Sequence, residues 1–354
     1  MKLLEKDIKN ITESISDIIP KFENKKIFIA GGLGFLGKYF ATTVSYLNSN
    51  HNTNITLYLV DNLITSKSSN TSEFCSQIRD DNIHIKELDI TNFNDFLDVD
   101  IVINAAGIAS PYYYRKFPLE TINASYMGNK NLLDLALRNN SKFIFFSSSE
   151  IYGNPDVNNI PTKETYNGNV TSIGSRSCYD ESKRIGETLC YVYNEKYNLN
   201  TNIVRPFNVY GPGMSKFDYR VIPNFINNVI ENQKLKIYSD GSQTRTYCYV
   251  SDAINGFLRV FVTDNVGETY NIGNSGPEIS LIDLKNELEK AINSKVDYEL
   301  ISYPDSYPPD EPLRRCPDIS KANEQLNYFP KIGMVEGLSN TFEWAKSHFP
   351  NEKS

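Results

Sequence analysis

The stretch KIFIAGGLGFLGKY, residues 26–39, constrains this chain more than any other part of it. A short apolar run meets Gly31, Gly34 and Gly37 and passes at once into a helical pattern, so it reads as strand, tight turn and helix. That glycine spacing permits a sharp turn, close approach of backbone to a pyrophosphate, and close helix packing, with the anion at the helix N-terminus. A lone triplet of this kind also occurs in plain βα turns. Here it is the first such turn of the chain, and Asp61 closes the next apolar run, LYLVDN. A carboxylate there accepts from the adenosine ribose hydroxyls and repels a 2′-phosphate. The pair predicts a dinucleotide site that takes NAD rather than NADP.

The rest of the first two hundred residues repeats the alternation. Apolar runs at 26–30, 55–60, 83–88, 100–106, 142–148 and 201–206 are separated by helical stretches such as NKNLLDLALRNN and ESKRIGETLCYVYNEKY. Several runs are apolar on both faces, as in a parallel sheet covered by helices on each side. The expected fold class is therefore α/β, a doubly wound parallel (Rossmann) sheet with a smaller C-terminal substrate domain. The expected division is an amphipathic helix in 1–24, a dinucleotide-binding domain in 25–205, and a substrate-binding domain in 206–354. The segment 246–275 is expected to return to the first domain. After residue 206 Pro and Gly become frequent (RPFNVYGPGM, SDGSQTR, SYPDSYPPDEP). At the N-terminus Leu4, Ile8, Ile11, Ile15, Ile18 and Ile19 fall at helical spacing, predicting a helix ended by Pro20 that docks on the body of the protein.

Composition narrows the function classes. The formal charge of −7 and the lack of a basic run argue against a nucleic-acid partner. Five scattered cysteines without a CxxC pair suggest neither a disulfide framework nor a zinc site. Three distant histidines give poor support to a metal centre or a Ser-His-Asp hydrolase, so no metal is expected. Neither a signal-peptide core nor a long apolar span is present, and the expected compartment is cytoplasmic.

Tyr179 and Lys183 in CYDESKR stand four apart, on one face of a helix. An ammonium beside a phenol stabilises the phenolate, so the pair is expected to lower the Tyr179 pKa and supply a base for a sugar hydroxyl. With 23 tyrosines the spacing is common, and it recurs at Tyr112/Lys116 and Tyr126/Lys130. Only Tyr179/Lys183 follows a hydroxyl-rich strand end, SSSEIYG (147–153), and opens a long helix. Cys178, beside the tyrosine, reads as packing.

Together these pieces resemble the extended short-chain dehydrogenase/reductase family that modifies nucleotide sugars, over nearly the whole chain. The resemblance rests on the Gly31/Gly34/Gly37 loop, Asp61, DIT at 89–91, NAAG at 104–107, Asn123, Ser148, Tyr179, Lys183 and RPFNVYGP at 205–212. It implies NAD contacts from Gly31, Gly34, Phe35, Leu36, Asp61, Asn62, Asp89, Ile90, Ala105, Ala106, Asn123, Tyr179 and Lys183, with Asp89 and Ile90 flanking the adenine. It places Ser148 beside the tyrosine at the substrate 4-OH. Asn208 and Arg245 would hold the substrate diphosphate, Arg220 would lie near the base, and Tyr238 and Tyr112 would line the substrate pocket. A homodimer paired through the Tyr179 helix and the one before it is also implied. Ala30 departs from the pattern, since many members carry Thr there.

Within that family SSSEIYG, SRSCYDESKR, SDGSQTRTYCYVSD and RRCPDISKANEQL look most like the UDP-glucuronate decarboxylases that make UDP-xylose. Simple 4-epimerases usually lack an acid at Glu150, and 4,6-dehydratases usually carry Asp-Glu where this chain has Ser149-Glu150. Ser149 and Glu150 with Arg315 therefore imply decarboxylation through a 4-keto sugar, with a UDP-sugar as the favoured substrate. The rival readings are a 4-epimerase or 4,6-dehydratase of another nucleotide sugar, and a catalytically silent NAD-binding scaffold or sensor.

Overall fold

Six of the apolar runs become neighbouring strands: β1 (Lys26–Ala30), β2 (Thr56–Asp61), β3 (Ile83–Glu87), β4 (Ile101–Asn104), β5 (Lys142–Phe146) and β6 (Thr201–Pro206). The computed structural model describes residues 3–66, 69–302 and 312–353. With the edge strand Thr269–Ile272 they form a seven-stranded parallel sheet in the order 269–272, β6, β5, β4, β1, β2, β3. Strand order reverses between β1 and β4, and the crevice beyond their carboxyl ends is where such sheets bind ligands. Gly31 at the end of β1 meets the β4 end there. A Cβ on Gly31 would lie 2.7 Å from the Ala105 carbonyl oxygen, and its φ of +75° also favours glycine.

Both faces of the sheet are buried, which explains the unbroken apolar runs. Ile27 and Ile29 face a core shared with Phe40, Phe257 and Phe261, while Phe28 and Ala30 face Leu132, Leu133, Cys190 and Tyr193. The first face is covered by the helices Phe35–His51 and Val250–Val262, and the second by Asn129–Asn139 and Ser177–Tyr197. Segment 246–275 thus supplies a covering helix and the edge strand, after the chain has already crossed into its second half.

The N-terminal helix docks as its spacing predicts, but it is shorter than expected. It runs over Glu5–Ser14, and Pro20 lies inside a separate 3-10 turn, Ile19–Phe22. Near its end the Thr12 and Ser14 hydroxyls donate to the Ile8 and Ile11 carbonyls, a competition that favours termination. Ile8, Ile11 and Ile15 are buried, and Asp7 accepts from the hydroxyls of Tyr39 and Tyr249 at 3.1 and 2.9 Å.

The Pro- and Gly-rich half forms short strand pairs instead of one sheet. Thr244–Arg245 pairs with Ile279–Ser280 and with Arg314–Arg315, and Leu235–Tyr238 pairs with Tyr298–Ile301. Helices Val221–Ile230, Leu281–Ile292 and Met334–His348 pack around them. Most of the SYPDSYPPDEP stretch, 303–311, lies outside the described residues.

Candidate active site

A cavity of about 800 Å³ runs from the glycine loop to the second half, at the upper end of the range for ligand sites. Gly34 caps the helix Phe35–His51 without a side-chain acceptor, so the first-turn amides of Phe35 and Leu36 stay available at the cavity wall. A Cβ on Gly37 would collide with the Gly32 carbonyl, which is why the helix can start so close to the turn. Asp61 accepts from the Leu33 and Leu63 amides at 3.2 and 2.8 Å and from the Ser66 hydroxyl at 2.8 Å. These bonds aim its carboxylate along the cavity and leave acceptor capacity for ribose hydroxyls. Asn62 donates to Asp89 at 3.4 Å, and Asp89 in turn caps the turn Ile90–Asn92. Ala105, Ala106 and Asn123 complete this wall, with Asn123 just before a π-helical turn, Ala124–Gly128. An open helix N-terminus, a glycine cradle and an oriented carboxylate fit a dinucleotide.

Ser148, Tyr179 and Lys183 meet where β5 ends. Ser148 lowers the pKa of the Tyr179 phenol as a side-chain partner, and its Oγ accepts from the Glu150 amide at 3.2 Å. Tyr114 stacks on the Tyr179 ring, with centroids 5.4 Å apart, so Tyr114 is packing. Lys183 Nζ donates to the Phe146 carbonyl at 2.8 Å and lies 5.9 Å from the Tyr179 ring centroid. The pKa directions differ from expectation. Burial pushes the Tyr179 phenol up to about 12, with Ser148 and Arg220 opposing it, and burial pulls Lys183 down to about 8. Desolvation sets both directions, disfavouring the phenolate of Tyr179 and the ammonium of Lys183 alike. Cys178 is likewise packing, its thiol raised by burial and directed at the Tyr114 carbonyl.

Glu150 is the hub of an ion cluster. Arg315 grips it with both terminal nitrogens, and Arg176 donates to the same carboxylate. Burial alone would raise the Glu150 pKa, but Arg315, Arg176 and Arg245 together hold it below the usual glutamate value. Arg176 also lies 3.6 Å from Asp180. Ser149 is buried beside the hub and lines the cavity. So Glu150 and Arg315, 165 residues apart, close the cavity on the side facing Ser148 and Tyr179.

Residues 27–273 match the model of the NAD dependent epimerase/dehydratase family. The chain belongs to that family. UDP-glucuronic acid decarboxylase 5 of Arabidopsis thaliana is 36% identical over 315 residues, 89% of this chain and 87% of that one. UDP-glucuronic acid decarboxylase 1 of Xenopus tropicalis is 32% identical over 355 residues, 99% and 80% of the two chains. Among solved structures, a UDP-glucuronic acid 4-epimerase from Bacillus cereus, in complex with UDP-glucuronic acid and NAD, matches with a TM-score of 0.79. It is 25% identical, over 92% of this chain and 100% of that one. NAD is the cofactor of the epimerase/dehydratase family, as the glycine loop and Asp61 suggested.

The remaining expected residues of this family member line the same cavity. Asn208, at φ +41°, donates to the Thr246 carbonyl at 2.9 Å. Arg245 is committed to the carbonyls of Thr244, Leu313 and Pro312, tying its strand to the segment that carries Arg315. Arg220 pairs with Asp218 and acts electrostatically on Tyr179, toward the reacting end of the cavity. Tyr112 packs against Tyr219 with centroids 4.4 Å apart and rings tilted by 45°, across the mouth between the two halves, and Tyr238 lines the wall. Sequence reasoning singled out neither Arg176 nor Tyr219. Arg176 carried a signal, since it lies three residues before Tyr179 and four before Asp180, where a helix brings side chains together.

Proposed function

We propose that this chain is a UDP-glucuronate decarboxylase that forms UDP-xylose, and that the residues above carry the reaction. The observation that carries this reading is the pair of guanidiniums, Arg176 and Arg315, converging with Glu150 beside Ser148 and Tyr179. With Arg245 beside them, three positive charges face the carboxylates of Glu150 and Asp180, an excess that suits a C6 carboxylate and that a neutral hexose does not need. Relatives 32–37% identical over most of the chain are decarboxylases, which supports the same reading.

When bound beside the Gly31–Gly37 loop and Asp61, NAD⁺ would supply a hydride acceptor for C4 and, once reduced, the hydride donor that closes the cycle. Tyr179 takes the proton of the 4-hydroxyl, with Ser148 orienting that oxygen. Lys183 keeps the strand end and the tyrosine in register through the Phe146 carbonyl. The 4-keto sugar has its carboxylate β to the ketone, so the C5–C6 bond breaks with its electron pair drawn into the carbonyl. CO₂ leaves, the resulting enolate takes a proton from water at C5, and Tyr179 returns its proton to O4 as the 4-hydroxyl is restored. Arg315 and Arg176 hold the carboxylate until that bond breaks, and Glu150 holds the two guanidiniums in place.

A second reading, 4-epimerisation of UDP-glucuronate, is favoured by the same charge cluster, which suits that sugar in either reaction, and by the fold likeness to the Bacillus cereus epimerase. A mass spectrum after incubation with UDP-glucuronate and NAD⁺ separates the two. Decarboxylation gives a product lighter by one CO₂ with no net NADH, while an unchanged mass with a new sugar NMR spectrum would replace it with epimerisation. The same reading takes the protein as a homodimer in the cytoplasm. The helices Pro118–Asn123 and Ser177–Tyr197 leave Leu119, Ile122, Ile185 and Val192 exposed, an apolar face suited to a two-fold partner.

A further inference from the structure

The segment Phe349–Lys353 follows the helix Met334–His348 and crosses from one half of the protein to the other. At Lys353 it is held to the first half by two hydrogen bonds to Ser69. The Lys353 amide donates to Ser69 Oγ at 2.9 Å, and the Ser69 amide donates to the Lys353 carbonyl at 3.1 Å. Ser69 opens the helix Ser69–Gln77, which follows the loop beyond Asp61. One residue earlier, Glu352 turns inward and is only 3% exposed. Its carboxylate accepts from the Lys216 amide at 2.9 Å, in the loop of the second half that also carries Asp218 and Arg220. Phe349 anchors the segment in the core.

Glu352 lines the same cavity as Gly34, Asp61, Asn62 and Ser66. Lys38, the residue after the third glycine, also lines it and is buried, donating to Thr71 Oγ1 at 2.9 Å. An ammonium has three donors, and burying it costs free energy unless an anion compensates. Burial pulls the Lys38 pKa down to about 8, and the largest opposing influence is Glu352, ahead of Cys75 and Asp61. Burial and Tyr219, Tyr112, Asp218 and Glu352 raise the Tyr113 phenol in the same region. Glu352 thus lines the cavity with Lys38 and Tyr113, bonded to one half while its neighbour is bonded to the other.

We propose that Phe349–Lys353 is a latch over the Asp61 end of the cavity, and that Glu352 is a cofactor-retaining residue with Lys38 as its counter-charge. The dinucleotide enters or leaves there only when the Ser69 and Lys216 bonds open together. This inference rests on the cofactor site alone and not on which sugar is modified.

The test measures cofactor release directly. Purified full-length protein is loaded with NADH, mixed with excess NAD⁺, and followed by the loss of bound-NADH fluorescence. Glu352→Ala should release NADH at least about tenfold faster than the unaltered protein, while Glu343→Ala, an exposed position on the preceding helix, should not differ. A Glu352→Ala rate within about twofold of the unaltered protein overturns the latch. Should Glu352→Ala fail to fold by circular dichroism, Ser69→Ala carries the test, since it removes one hydroxyl acceptor. Several-fold faster release is then expected, and an unchanged rate overturns the proposal.

Discussion

At the scale of single residues, the site separates a proton-handling group from a charge-handling group. Tyr179 has its phenol pushed up to about 12 by burial, so it is protonated until a favourable charge arrives in the pocket. Tyr179→Phe should therefore keep NAD binding, read as quenching or enhancement of cofactor fluorescence, and lose roughly 10²–10⁴-fold in turnover. Undiminished turnover would remove the tyrosine from the mechanism. Glu150 acts on a later step. Glu150→Gln keeps the side chain's shape but leaves Arg315 and Arg176 facing each other without their shared anion. The expected result is a stall after oxidation, seen as NADH absorbance that builds up and does not decay, with a loss of stability on the order of 3–5 kcal/mol. A variant that turns over normally would leave Glu150 a purely structural ion-pair partner. Tyr179, Lys183, Ser148 and Glu150 were legible in the sequence because hydroxyls and a carboxylate follow an apolar run. The direction of the Tyr179 shift was not, since desolvation depends on what packs over a residue, here Tyr114 from the short helix Pro111–Lys116.

Among the elements, legibility follows burial on both faces. β1 and β6 run over the same residues as the apolar stretches 26–30 and 201–206, because a strand covered on both sides must be apolar throughout. The N-terminal helix was read from one apolar stripe and its end from Pro20, but the Ser14 back-bond ends it earlier. That helix carries a pH signature. Burial raises the Asp7 pKa from its ordinary value to about 6, against the hydrogen bonds from Tyr249 and Tyr39. The folded state then holds a proton that the unfolded chain gives up near pH 4, so stability is full below about pH 4 and is lost as pH rises through about 6. The swing is at most roughly 3 kcal/mol. Asp7→Asn should remove it, so the melting temperature of the variant relative to the unaltered protein should rise between pH 4.5 and 7. A constant difference across that range would show that Asp7 does not titrate there. The glycine-loop helix gives a second element-level expectation. Gly37→Ala should weaken NAD binding and lower the melting temperature together, because the methyl meets the Gly32 carbonyl and pushes the helix N-terminus off its turn. Normal affinity would mean that the loop can shift without cost.

Over the whole molecule, the second half is where sequence reading thins out. Its short strand pairs, 244–245 with 279–280 and 314–315, have no periodicity to detect, yet one of them places Arg315 against Glu150. Nothing local in RRCPD tells that its second arginine faces a strand end 165 residues earlier, and only the family resemblance pointed there. The inward turn of Glu352 carries no local signal either. The outer face of the first half carried no sequence signal of its own, and a homodimer was implied by the family resemblance alone. Leu119 and Ile122 stand three apart on one helix, Ile185 and Val192 stand seven apart on another, all four are exposed, and the two helices pack against each other. In a monomer, replacing one such side chain with a charge changes stability within about 0.5 kcal/mol. In a two-fold dimer the same charge appears twice, since each patch meets its own copy, and the cost is paid on both sides. Ile185→Glu with Leu119→Asp should therefore shift sedimentation from a dimer to a folded monomer with an unchanged circular dichroism spectrum. Ile185 is on the helix that carries Tyr179 and Lys183, so turnover should fall with dissociation and recover at protein concentrations that restore pairing. An unaltered protein that already sediments as a monomer, with full activity, would sink the pairing and leave this face for another partner.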